Sequence, residues 1–195
     1  MKTIGICGKI GSGKSAVGTL LSERGVFVLD LDREMHSLYA ESEVLRQKIA
    51  ERFGADCIRE NAVDRVALAN CVFKDINSLA DLENIVYPIL QKRVESKLFA
   101  TASSPNPPKL AAIEGALLFK WPEFSRNLSE IWVIEAPDSL RISRLMQRGL
   151  SKEDAERRMQ IQAQDPLPPN AHYAHIDNSS SLDSVLSQIQ KLVQI

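Results

Sequence analysis

Lys14 and Ser15 end the run Gly8-Lys9-Ile10-Gly11-Ser12-Gly13-Lys14-Ser15, which fits the pattern G-x-x-x-x-G-K-[ST]. These residue types suit one chemistry. Glycines let the backbone close around phosphate oxygens and turn its N–H groups inward as an anion nest. A helix beginning at the end of the run adds its unpaired N–H groups and its positive dipole end. Lys14 would neutralise charge on the β- and γ-phosphates of a nucleoside triphosphate, and the Ser15 hydroxyl would ligate Mg²⁺. Two nearby carboxylates, Asp30 and Asp32, complete a phosphoryl-transfer set. Asp30 would serve the metal side, and Asp32 would accept the proton of an attacking hydroxyl. Asp32 has a second reading, as the cap of a following helix. Arg144, Arg148, Arg157 and Arg158 flank Gly149, and such cations stabilise transferring phosphoryl oxygens under a closing lid. With Glu153, Asp154 and Glu156 between them, they can instead form a solvated helix face.

Phosphate loops serve switches, motors and small-molecule kinases, so the loop alone does not set the reaction. The guanine motif N/T-K-x-D and a D-x-x-G after a strand are absent from the sequence, and the apolar run Leu110–Ile113 ends in Glu114-Gly115 where a motor would show Asp-Glu. The paired aspartates fit a kinase. His172 and His175 have no accompanying cysteine or further histidine at ligand spacing, and read as loop residues. Trp121 and Trp132 read as packing.

The elements that must position these residues follow an α/β pattern. Lys2–Cys7 is a short buried strand leading into the loop. A helix from Ser15 carries Val17, Leu20 and Leu21 on one face, and Val26–Leu29 is a second strand that Asp30-Leu31-Asp32 closes. Along an extended strand, residues two apart share a side, which would direct Asp30 and Asp32 together to the carboxyl edge of a parallel sheet. From Asp32 to Ala100 only helical spacing is evident, as in Leu45, Ile49, Phe53 and in Leu82, Val86, Leu90. Pro88 should kink that second helix or begin a new one. Strands resume at Leu110–Glu114 and Ile131–Glu135. Helices follow at Asp138–Arg148 and Ser151–Gln162, then a last strand at Ala174–Asp177 and an amphipathic helix through Leu182, Val185, Leu186, Ile189 and Leu192.

The bulk composition is that of a soluble globular chain: 195 residues, 44% hydrophobic and 25% charged. With a net charge of −1, no global field draws nucleic acid or an anionic membrane, so an anionic substrate needs a local cluster of cations. Cys7, Cys57 and Cys71 show no C-x-x-C or zinc spacing, which points to reduced thiols in a cytoplasmic protein. No apolar stretch is long enough to span a bilayer, and no signal peptide is evident.

In order and spacing, the motifs resemble those of the dephospho-coenzyme A kinases. The resemblance rests on Ile10–Ser15, on Val28–Asp32 (similar to V-I-D-A-D), and on Phe53-Gly54 and Val63-Asp64-Arg65. It continues through Val72-Phe73, Leu82–Ile85, Leu117–Phe119, Arg148 with Leu150-Ser151, Arg158 with Gln162, and Ile176–Asn178. It implies a three-layer P-loop NTPase fold with a parallel sheet. Residues 1–32 and 104–195 would form the nucleotide-binding core, with a lid at about 144–170. Residues 33–103 would form a helical acceptor-binding insertion.

The implied reaction moves phosphate from ATP, with Mg²⁺, to the ribose 3′-hydroxyl of dephospho-coenzyme A. ATP would be bound by Gly8, Gly11, Ser12, Gly13, Lys14, Ser15, Ala16, Arg148 and Asn178. Mg²⁺ would be held by Ser15 and Asp30, the acceptor by Asp32, Asp64 and Arg65, and catalysis would fall to Asp32, Lys14 and Arg148. The resemblance also implies a cytoplasmic monomer with small-molecule partners, without nucleic acid or membrane. Several positions differ from the family's usual residues: Lys9 for Gly, Ala16 for Thr, Tyr87 for His, Glu114-Gly115-Ala116 for D-x-P, Lys120 for Glu, Pro168 for Lys and Tyr173 for Asp. A nucleoside or shikimate-like kinase, and a nucleotide-binding regulator with weak turnover, stand as alternatives.

Overall fold

In a computed structural model, residues 1–72, 76–163, 165–168, 170 and 172–193 are described. Phe73, half of the Val72-Phe73 match, lies outside them. The chain divides into two compact units, Met1–Leu31 with Thr101–Ile195, and Asp32–Ala100.

The first unit is built on a five-stranded sheet, ordered β2-β5-β1-β6-β7 and parallel throughout. Its strands are β1 (Lys2–Cys7), β2 (Phe27–Asp30), β5 (Leu110–Glu114), β6 (Glu130–Glu135) and β7 (Tyr173–Asp177). From β1 the chain runs through α1 (Lys14–Ser22) to β2 on one side, while β6 lies on the other side. The carboxyl end of β1 is therefore the point where successive crossovers diverge, and a crevice for a ligand opens at such a point.

Alternation along β1 sorts the core. Ile4 and Ile6 face a cluster with Val17 and Leu21 of α1, Trp132 and Ile134 of β6, and Val185 and Ile189 of α9 (Leu182–Val193). On the opposite face Gly5 meets Leu118 and Leu128, and a methyl there would come within 2.8 Å of Leu128 Cδ1. The 3-10 turn Ala116–Phe119, the short helix α6 (Pro122–Arg126), α7 (Asp138–Gln147) and α8 (Lys152–Ala163) complete this unit.

The second unit is mostly helical. It comprises most of α2 (Leu31–Glu41), α3 (Glu43–Phe53), α4 (Arg65–Val72) and most of α5 (Ile76–Ala102). Leu45 and Ile49 of α3, Leu68 of α4, and Val86, Leu90 and Val94 of α5 are buried. Glu34, 8% exposed, receives hydrogen bonds from Arg93 Nε at 2.7 Å and Lys97 Nζ at 2.5 Å. Burial alone would raise its carboxyl pKa, but these two cations outweigh burial and hold it below the ordinary range.

Three expectations need correction. The second strand ends at Asp30 and α2 begins at Leu31, so strand alternation does not relate Asp30 to Asp32. Two local signals favour the early helix: acids at Asp32 and Glu34 in the first turn, and a fully buried Leu31 lying against Gly115. The segment read as wholly helical also contains a hairpin, β3 (Ile58–Arg59) with antiparallel β4 (Ala62–Val63). Its turn residues Glu60 and Asn61 both have positive φ, 50° and 58°. The tight hairpin turn demands that, and Glu does not announce it. Finally, of the two outcomes expected at Pro88, a kink or a new helix, the new helix is the one overturned: α5 runs continuously through it for 27 residues. The ring sits on an exposed position, and buried Val86 and Leu90 on either side anchor the helix.

Candidate active site

The phosphate loop leaves β1 and enters α1 with its carbonyl oxygens bound by surrounding groups. Gly8 O accepts from Lys14 Nζ at 2.9 Å and Lys9 O from the Ser12 N–H at 3.0 Å. Ile10 O accepts from Arg141 Nε at 2.8 Å, and Gly11 O from Arg144 Nη1 at 3.3 Å. Ser12 O takes both Arg144 Nη1 at 3.1 Å and Asn178 Nδ2 at 2.8 Å. In a planar trans peptide the carbonyl and the next N–H point opposite ways. Drawing the Ile10 and Ser12 carbonyls toward α7 and Asn178 therefore turns the N–H groups of Gly11 and Gly13 to the other side, which is the nest an anion needs.

Two glycines are required by this arrangement. Gly11 and Gly13 have φ of 80° and 96°, and a Cβ on Gly11 would lie 2.8 Å from Arg141 O. On Gly13 a Cβ would collide with Asn178 Nδ2.

The first half of the loop is also tied to α8. Gln162 Oε1 accepts the Ile10 N–H, and Lys9 Nζ donates to Ala163 O at 2.8 Å. Ile10 itself packs with Ile142 against Leu145, Ala155 and Met159.

Ser15 and Ala16 lie in the first turn of α1. The Ser15 hydroxyl donates to Glu114 Oε1 at 2.7 Å, and Glu114, at the end of β5, is only 7% exposed. Gly18, one turn along α1, makes room for this carboxylate, since a Cβ there would lie 2.5 Å from Oε2. Asp30 is the register partner of Glu114 across β2 and β5, so both acids end neighbouring strands at the edge where the loop sits. Hydroxyl and carboxylate oxygens are the hard donors Mg²⁺ takes. It usually takes one or two carboxylates with phosphates and water, not an all-protein cage. The donor set fits, and among the described residues no cluster of three or more acidic, His or Cys ligands competes with it.

Sequence reading missed Glu114, Arg141 and the seating of Asn178. Glu114 carried a usable signal, an acid ending an apolar strand beside β1. Arg141 is 7% exposed and pairs through Nη1 with Asp138 at 2.8 Å, but nothing in its neighbourhood marks it off from the other arginines of the segment. Asn178, 2% exposed, holds the loop backbone with its side chain.

The proposed lid arginines do not act as one group in this structure. Arg144 sits behind the loop, and its Nη2 also donates to Asn178 O at 2.9 Å. Arg157 pairs with Asp154 at 2.7 Å on an exposed face, the solvated arrangement the sequence left open. Arg148 caps α7 and is exposed, next to Gly149 at φ 92°. Arg158 is exposed on α8.

Within the second unit, Asp64 Oδ1 accepts from the Val66 and Ala67 N–H groups, each at 3.0 Å, and so caps α4. Arg65 opens that helix and is exposed. Burial raises the Tyr39 phenol, and the Arg65 charge partly offsets this. Tyr87 is raised by burial and then by Glu83, to which it is hydrogen-bonded, with a smaller contribution from Tyr39. Arg65 thus lies within electrostatic reach of Tyr39, and Tyr39 and Glu83 within that of Tyr87. Asp32 lies in the first turn of α2.

Comparison with known proteins places these features. The profile described as CoaE, dephospho-CoA kinase, matches residues 2–184. A dephospho-CoA kinase of Aquifex aeolicus is 34% identical over 197 aligned residues, covering 100% of this chain and 97% of the relative. A crystal structure of a Thermus thermophilus protein superposes with a TM-score of 0.74 at 29% identity, covering 99% of this chain and 96% of that one. A dephospho-CoA kinase structure from Campylobacter jejuni shares the fold, with a TM-score of 0.64 at 24% identity and coverage of 100% and 96%. The match spans both units and includes the loop and its supports, so the chain belongs to the dephospho-CoA kinase family.

Proposed function

We propose that the chain transfers the γ-phosphoryl group of ATP to the ribose 3′-hydroxyl of dephospho-CoA, giving CoA and ADP. The observation that carries this reading is the phosphate loop, its carbonyls bound from Gly8 to Ser12, in a chain of this family. Catalysis of phosphoryl transfer is mostly positioning and charge stabilisation, and the residues divide accordingly. The N–H groups of Gly11 and Gly13 and the first turn of α1, with Ser15 and Ala16, receive the phosphates. Lys14 exchanges the neutral Gly8 carbonyl for phosphate oxygens. Ser15 and Asp30 would hold Mg²⁺, with Glu114 accepting the Ser15 hydroxyl hydrogen, and the metal would neutralise charge between the β- and γ-phosphates when bound. Asp32 accepts the proton of the acceptor hydroxyl. Arg148, exposed beside a glycine with positive φ, is the lid cation, and Asn178 fixes the loop on the nucleotide side.

Glu114 orients the serine hydroxyl, and partners of a metal ligand typically matter 10–100-fold for metal affinity. Glu114→Ala should therefore raise the Mg²⁺ concentration for half-maximal rate by about 10–100-fold. The check is a Mg²⁺ titration at saturating ATP, where an unchanged midpoint would remove Glu114 from the metal site.

The acceptor carries a diphosphate, and a guanidinium pairs with phosphate oxygens through two parallel hydrogen bonds. Arg65 is the proposed contact, with Asp64 fixing the helix start that presents it. A coupled ADP-release assay with dephospho-CoA, adenosine, AMP and shikimate at matched concentration tests the assignment. Dephospho-CoA should be preferred, and Arg65→Ala should raise its KM about tenfold or more while leaving the KM for ATP within a few-fold. Faster turnover of another acceptor would sink the assignment. Tight ATP binding with no turnover of any acceptor would favour a regulatory protein.

A further inference from the structure

The reaction leaves the cysteines unused, and two of them are neighbours. Cys57 ends the 3-10 turn Ala55–Cys57 after α3, and Cys71 lies in the last turn of α4. Their sulfurs are 3.8 Å apart across 14 residues of sequence. Cys57 is fully buried, and its S–H also lies 3.7 Å from Phe53 O. Cys71 is half-exposed. Cys7, the third cysteine, belongs to the other unit and is fully buried at the end of β1.

We propose that Cys57 and Cys71 form an oxidative modification site, in which hydrogen peroxide reacting at Cys71 converts the pair to an intramolecular disulfide.

The chemistry balances with the peroxide as the only oxidant. The Cys71 thiolate attacks one peroxide oxygen, the O–O bond breaks, and the leaving hydroxide takes a proton to become water. This leaves a sulfenic acid on Cys71. The Cys57 sulfur then attacks the Cys71 sulfur, forming S–S and breaking S–O, and the departing oxygen carries away the Cys57 proton as a second water. Two thiols supply two electrons in all.

The roles follow from exposure. Cys71 is reachable from solvent, whereas burial and the neighbouring Cys71 sulfur push the Cys57 thiol up. Cys57 therefore stays protonated and hidden until a sulfenic acid forms beside it. A disulfide bond is about 2.05 Å long, so the sulfurs must close by roughly 1.8 Å. Enforced proximity favours that second step over further oxidation by another peroxide molecule.

The bond would close a loop containing the β3–β4 hairpin, the Asp64 cap and Arg65. Cys57 O already accepts the Asp64 N–H at 2.8 Å, so the modified loop keeps its native contact. Any effect on the KM for dephospho-CoA rests on the acceptor reading above, whereas the bond itself is measured chemically, so failure of one is distinguishable from failure of the other.

The test treats the full-length protein, as purified, with a few-fold excess of hydrogen peroxide, then denatures it and blocks free thiols with a mass-tagged alkylating agent. One blocked cysteine is expected in place of three. The mass should fall by about 2 Da before alkylation. Digestion should yield a peptide joining Cys57 to Cys71, and dithiothreitol should reverse all of this. Cys57→Ser should trap a sulfenic acid on Cys71, captured by dimedone, and Cys71→Ser should leave Cys57 unmodified at the same dose. Cys7, whose thiol burial pushes up to about 12, should remain free throughout. Three blocked cysteines after treatment, a sulfinic acid on Cys71 with Cys57 still free, or a link involving Cys7 would each overturn the proposal.

Discussion

Lys14→Ala should lower kcat/KM for ATP by about 10²–10³, the scale of losing one preorganised charge at a transferring group. In the structure the Lys14 ammonium lies 2.9 Å from Gly8 O, inside the loop that it must serve. Its charge is felt at Cys7, whose thiol it lowers against the larger effect of burial, so it acts across the base of the loop. In the proposed reaction the same ammonium would exchange a neutral carbonyl for oxygens whose charge grows as the bond to the leaving phosphate lengthens. Alanine keeps the helix start of α1, because alanine is the strongest helix former, so the loss should appear in the rate and not in the fold. Steady-state kinetics at saturating acceptor, with a thermal melt as control, measures it. A variant within a few-fold of the parent would remove the loop from the catalytic account.

How far the site could be read in advance depended on how local its determinants are. The strand-loop-helix of Lys2–Ser22 is specified within one stretch of chain, by an apolar run, glycines and then helical spacing, and its boundaries were legible. So were Leu110–Glu114 and the strand ending at Glu135, whose near-continuous apolar character is what a sheet buried on both faces requires. The loop's supports were not legible, because they arrive from elsewhere. Arg141 lies 131 residues from Ile10, and Asn178 lies 166 residues from Ser12. Neither distance leaves a periodic trace. The hairpin at Ile58–Val63 escaped for a different reason, that its strands are two residues each, too short for alternation to show.

Asp30 and Asp32 differ from these cases, because the strand alternation expected to link them stops at Asp30. Two signals competed over the same residues. The apolar run Val26–Leu29 favours extension, while acids at Asp32 and Glu34 favour a helix N-terminus. Burial of Leu31 at 0% exposure, against the close approach of Gly115, goes with the helix. Asp30 thereby stays with the sheet, opposite Glu114, and Asp32 becomes a residue of α2. The proposed metal side draws on Asp30, register partner of Glu114, and on Ser15, which donates to Glu114, without any need for Asp32.

That separation sharpens what Asp32→Asn should do. Asparagine keeps the size and a side-chain oxygen, and losing one first-turn charge costs only about 0.3–1 kcal/mol while Glu34 remains, so α2 should begin as before. It cannot accept a proton. The rate of phosphoryl transfer should therefore fall by about 10²–10⁴, the range for a positioned general base. ATP affinity and the Mg²⁺ midpoint should stay within a few-fold, because Ser15 and Glu114 are untouched. The contrast with Glu114→Ala is the useful one. Excess Mg²⁺ should restore much of the Glu114 variant's rate and none of the Asp32 variant's. The decisive measurement is a single-turnover rate at saturating ATP, acceptor and Mg²⁺, combined with nucleotide binding by calorimetry. If the Asp32 variant instead loses ATP binding, or recovers at high Mg²⁺, then Asp32 belongs with the nucleotide and its metal. The proton acceptor must then be sought elsewhere, with Glu114 the first carboxylate to test.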